Sequence, residues 1–74
     1  MPKQSLSEPI AIRLDEISAT VTYVGEAVIG TADGAAAWRI KRITTTGTVL
    51  DIKWADGDNL FNNIWDNRAS ISYS

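Results

Sequence analysis

Asp56, Asp58, Asn59 and Asp66 are the residues whose types and spacing come nearest to a chemical site in this 74-residue chain. Oxygen ligands of this kind suit calcium. In an EF-hand loop a third ligand would stand where Leu60 stands, followed by a glycine, so the spacing departs from that pattern. The competing reading, and the preferred one, is a turn in which Asp, Gly and Asn serve backbone geometry. Paired carboxylates, Asp15 with Glu16 or Asp56 with Asp58, are the groups a glycosidase uses. That chemistry needs a cleft that raises one carboxyl pKa and holds a sugar, and a domain this small leaves little room for one. The chain has no histidine and no cysteine. The usual nucleophile–base pairs and the usual zinc ligands are therefore missing. Gly25 and Gly30 lack the spacing of a phosphate-binding loop. No catalytic residue, metal ligand or cofactor is expected.

The aromatic residues form a second constellation: Trp38, Trp54, Phe61, Trp65 and Tyr73. Aromatic platforms beside Asp and Asn hold sugars in many proteins, which makes Asp56, Asp58, Asn59 and Arg68 candidate ligand-facing groups. In a core this small, tryptophans are also the main apolar mass. Trp38 and Trp54 are accordingly assigned to core or subunit contact. Arg68 is expected to stack on Trp65 or to pair with Asp66.

These residues are positioned by short strands. Residues 37–58 read as a β-hairpin, with arms Trp38-Arg39-Ile40-Lys41-Arg42-Ile43 and Thr48-Val49-Leu50-Asp51-Ile52-Lys53-Trp54. A three-residue loop of Thr45, Thr46 and Gly47 would set Trp38 opposite Trp54, Ile40 opposite Ile52 and Lys41 opposite Asp51. Side chains alternate across a strand, so Trp38, Ile40, Leu50, Ile52 and Trp54 would share one dry face. Ile10-Ala11-Ile12-Arg13-Leu14 alternates as a strand does, and Asp15-Glu16 reads as a bend or bulge. Residues 20–29 are β-branched and aromatic. Gly25 interrupts them, which signals a bulge or a close backbone approach. Asp33-Gly34 and Asp56-Gly57 read as turns. Leu60, Phe61, Ile64 and Trp65 fit one helical face, so a helical turn near residues 60–65 is expected to plug the sheet. Residues 69–73 read as a final strand.

The fold class is thus all-β: a small antiparallel sandwich or barrel of five to six short strands with one helical turn. Residues 1–8 read as a flexible arm and 9–74 as a single domain. A chain of this length buries only about 60% of its unfolded surface, and small domains without disulfides often rely on oligomerisation. The net charge of −2 and pI near 4.8 argue against nucleic acid. No apolar run approaches the ~20 residues of a membrane helix. The N-terminus lacks the apolar stretch of a signal peptide, so synthesis in a cytoplasm is expected.

Four stretches carry a resemblance. They are Tyr23-Val24-Gly25-Glu26-Ala27; Trp38-Arg39-Ile40-Lys41-Arg42-Ile43 with Thr44-Thr45; Trp54-Ala55-Asp56-Gly57; and Phe61-Asn62-Asn63-Ile64-Trp65-Asp66-Asn67-Arg68-Ala69-Ser70. Together they resemble a recurrent group of short tailed-bacteriophage proteins associated with structural gene modules. The resemblance spans roughly residues 17 to 74. It implies a virion component and transfers no catalytic residues. The expected function is a non-enzymatic virion structural protein, in capsid decoration or at a head–tail or tail position. Its expected partners are copies of itself and other virion proteins. The alternative is a small glycan-binding module at a tail tip.

Overall fold

The computed structural model describes residues 10–74; the N-terminal arm read at residues 1–8 lies outside them. The described residues are all-β and antiparallel, with strands β1 (Ile10–Glu16), β2 (Val21–Val28), β3 (Ala36–Thr46), β4 (Val49–Trp54) and β5 (Asn63–Ile64) and one 3-10 helix (Trp65–Ser70). The order is β1-β2-β3-β4, with β5 pairing the first part of β3. The sheet is open, not a closed barrel. Its second layer is the C-terminal segment rather than another sheet. Among the described residues no helix is long and apolar enough to cross a membrane.

The hairpin forms where the sequence places it, but in another register. Lys41 faces Trp54, Ile43 faces Ile52 and Thr46 faces Val49. The turn is Gly47-Thr48, with Gly47 at φ +62° and Thr48 outside the positive-φ region. That is the two-residue, glycine-first turn whose twist matches the flanking strands. Thr44, Thr45 and Thr46 extend β3 because β-branched residues favour strand. The register differs by three residues from that of a three-residue loop. An odd shift moves side chains to the other face. Trp38 and Ile40 therefore lie on the opposite face from Leu50, Ile52 and Trp54. The pair expected for Lys41 with Asp51 does not form across the strands, because Asp51 faces Thr44. Gly47 has open space around its Cα, so Gly47→Ala meets only backbone strain. A cost of about 1 kcal/mol in chemical denaturation is expected.

Gly25 does not bulge the strand. β2 pairs without a break to both neighbours, Arg13 facing Gly25 on one side and Ile40 on the other. Likewise Asp15 and Glu16 stay in register within β1. Gly25 instead marks a close approach. A β-carbon there would lie 2.5 Å from Trp65 Cε3 and 3.2 Å from Trp38 Cε3. The Asp-Gly turns form as read. Ala35 N–H bonds the Ala32 carbonyl across Asp33-Gly34. Asp58 N–H bonds that of Ala55 across Asp56-Gly57, both at positive φ.

One face of the sheet holds the core: Tyr23, Ala27, Trp38, Ile40, Ala55 and Trp65, with Val21, Ile71 and Tyr73 packed against it. Small residues at Gly25, Ala27 and Ala55 leave room for two indoles, whose centroids lie 5.9 Å apart. Trp38 Nε1–H donates to the Ala32 carbonyl at 2.9 Å, which satisfies the polar atom of a fully buried ring. The helical turn lies at Trp65–Ser70, not at residues 60–65. Asn63 and Ile64 pair with β3 first, and Trp65 then enters the core. Leu60 and Phe61 stay substantially exposed. Residues 69–73 do not form a strand. Only Tyr73 bridges, to Ala55, while Trp54 and Ser74 exchange two backbone hydrogen bonds.

Candidate functional site

Residues opposite one another in adjacent strands point to the same side of a sheet. The registers therefore define the second face in rows. Ile10 lies beside Val28. Ile12, Glu26 and Arg39 form the next row. Leu14, Val24, Lys41 and Trp54 follow, then Glu16, Thr22, Ile43 and Ile52. Thr45 and Leu50 end the series. Val24 is buried yet outside the core cluster; it lies in the middle of this other face, between Leu14 on one side and Lys41 and Trp54 on the other.

Apart from Phe61, whose ring lies on Arg39, no part of the described chain covers these rows. Ile12, Leu14, Val28, Leu50 and Ile52 are 50–69% exposed, and Ile10 is 43%. With Ile10, these six aliphatic side chains present on the order of 600 Å² of apolar surface, at the upper end of the ~300–600 Å² of the largest patch on a typical monomer. The charges within the face are mostly engaged. Arg39 Nε donates to Glu26 Oε1 at 2.8 Å. Its guanidinium lies 5.6 Å from the Trp54 ring centroid and 4.6 Å from that of Phe61. Lys41 Nζ is 5.2 Å from the Trp54 ring. Each such cation–aromatic contact contributes about 0.5–1 kcal/mol at exposed sites.

The five aromatic candidates therefore divide. Trp38 and Trp65 are core, and Tyr73 packs on it half-buried. Trp54 is half-buried on the open face, and Phe61 is exposed beside it. Assigning Trp54 to the same buried wall as Trp38 is corrected by the hairpin register.

The acidic residues do not gather. Among the described residues no group of three or more carboxylates is placed to hold a metal ion. Asp58 Oδ1 accepts the Leu60 N–H at 3.0 Å, the local bond of an Asp-led turn. Asp56 and Asn59 are exposed in that connection. Arg68 stacks on Trp65, 4.4 Å from its centroid, as expected. Its ion pair, however, is with Asp15 at 2.9 Å and not with Asp66. Among the described residues no ion pair or side-chain hydrogen bond joins Arg68 to Asp56, Asp58 or Asn59. The Asp15–Arg68 bond ties β1 to the helix across 53 positions of sequence, and spacing alone gives no signal for it. The same holds for Arg13 with Asp33 at 2.8 Å.

Tyr73 has the perturbed titration of this layer. Its hydroxyl donates to the Arg68 carbonyl at 2.8 Å, and its ring meets Tyr23 at 5.7 Å and Arg42 at 4.9 Å. Burial, aided by Tyr23, pushes its pKa from 10.0 to about 12. The folded state then holds a proton that the unfolded state loses. Stability from this group is complete below about pH 10 and falls as pH rises towards 12. Thermal melts of the native chain and Tyr73→Phe across that window are expected to converge as pH rises. A constant difference between them would refute this assignment.

No protein-family model, curated protein or solved structure matches the chain.

Proposed function

We propose that this chain is a non-enzymatic virion structural protein. It acts by burying surface, through homo-oligomerisation or by docking on a larger lattice, as a capsid decoration or a head–tail or tail component. The observation that carries the reading is the open apolar face. A four-stranded sheet with one packed face and one aliphatic face behaves as half of a sandwich. The outer edge of β1 adds a second support. It has no neighbour in the described chain, and such an edge is a template for further strand pairing. The resemblance of residues 17 to 74 to short tailed-phage proteins points the same way.

Quantitative mass spectrometry of purified particles tests this reading. The chain is expected in many copies per particle, and its absence from intact particles would refute it. A glycan-binding module is less well supported. Asp58 and Arg68 are engaged elsewhere, by the Leu60 N–H and by Asp15, and Trp54 and Phe61 are occupied by Arg39.

A further inference from the structure

We propose that the open face packs against the same face of a second copy, about a two-fold axis that runs along the strands between β2 and β3. The proposal rests on the assembly reading above and names its partner.

The open face is large enough for a specific contact. Four strands about 4.8 Å apart and seven residues rising about 3.3 Å each give a face of roughly 20 by 23 Å. Two such faces bring together on the order of 1,200 Å² of apolar surface from the six exposed aliphatic residues alone. That exposed area is comparable with the ~1,200–2,000 Å² that specific interfaces bury, and Ile43, Trp54 and Phe61 add to it. The chain's own first nine residues offer only Met1 and Leu6 as large apolar groups, far too little to cover the face. A second copy matches it in size and in apolar character by construction.

Charge selects the axis. A two-fold along the strands lays β1 over β4 of the second copy and β2 over its β3, each residue staying in its own row. Glu26 then lies over Arg39 of the second copy, and Arg39 over the second Glu26. The two ion pairs of the free chains become one alternating set of four charges. In the next row Leu14 meets Trp54, and in the row after it Thr22 meets Ile43. A two-fold across the strands would instead lay β3 on β3. Arg39 and Lys41 would face their own kind, and like charges brought together at an interface are costly. Aligned sheets pack about 10 Å apart with their strands turned by roughly 30°, which the first arrangement allows.

The test is the solution mass of the full chain by sedimentation equilibrium across a concentration series. It compares the native sequence with Leu14→Glu, Ile52→Glu and Val49→Glu. Leu14 and Ile52 lie on the open face, where the second copy would set Trp54 and Glu16 over them, and Val49, also exposed, points to the other side. We expect a dimer for the native chain and for Val49→Glu. Leu14→Glu and Ile52→Glu should keep the native circular dichroism, since both side chains are at least half exposed in the single chain. Their dimer dissociation constants should rise at least about 10-fold, the scale of a lost interface contact. If one of the two fails to fold, the other carries the test. A native chain that stays monomeric at every concentration would overturn the proposal, as would a dimer indifferent to both substitutions. Either result leaves the virion reading to be decided by the particle measurement.

Discussion

Replacing Trp38 with alanine is expected to unfold the domain at room temperature. The indole is fully buried, stacks on Trp65 and carries Arg13 over its ring at 5.4 Å. Truncating a buried tryptophan costs about 3–5 kcal/mol. A single core in a chain of this size rarely supplies more than ~3–5 kcal/mol in total, so the loss matches the whole stability. The lost Nε1–H bond adds to the effect by leaving the Ala32 carbonyl without that donor. Circular dichroism of Trp38→Ala should show no cooperative thermal transition. Trp54→Ala is the internal comparison. Trp54 is half-buried and meets Arg39 and Lys41 rather than the core, so its replacement should keep the transition and lower the melting temperature only modestly. Equal effects from the two substitutions would mean that the faces are wrongly assigned.

Gly25→Ala should be nearly as damaging, although it adds a single methyl group. The backbone of Gly25 is ordinary strand, so no conformational strain arises. The cost is space. The new methyl would stand 2.5 and 2.6 Å from two carbons of Trp65. A rigid indole pressed between Gly25 and Trp38 cannot yield by a small torsion. Overpacking of this kind costs about 1–3 kcal/mol, and the upper end is expected because Trp38 blocks the retreat. Urea denaturation should show the loss, together with red-shifted tryptophan emission as Trp65 is displaced towards water. A change below about 0.5 kcal/mol would show that the ring moves freely, contrary to the packing described.

The all-β class was legible because β-branched and aromatic runs alternate with Asp-Gly and other glycine turns. The hairpin was legible as well, but not its register. Gly47-Thr48 and a longer loop ending at Gly47 both satisfy the composition, and they differ by an odd number of residues. That difference decides whether Trp38 and Trp54 share a face. The alternation of Ile10, Ile12 and Leu14 announced an apolar side of β1. A pattern of alternation says which side is apolar and not whether anything covers it. In this chain the helix and the C-terminal residues cover the other side, drawn there by the space at Gly25, Ala27 and Ala55. Of the two readings of Gly25, bulge or close approach, only the position of Trp65, forty residues later, could choose. The acidic cluster dissolved for a local reason: Asp58 hydrogen-bonds within its own turn. The pairs Asp15–Arg68 and Glu26–Arg39 join distant positions and leave no trace in spacing.

The central claim is that the open face is a contact surface between copies. Hydroxyl-radical footprinting of the purified chain, from dilute to concentrated solution, tests it most directly. Ile12, Leu14 and Ile52 are expected to become protected as concentration rises, while Val49, also exposed but on the other side of the sheet, keeps a constant labelling rate. Labelling of all four at one unchanging rate across the series would contradict that assignment.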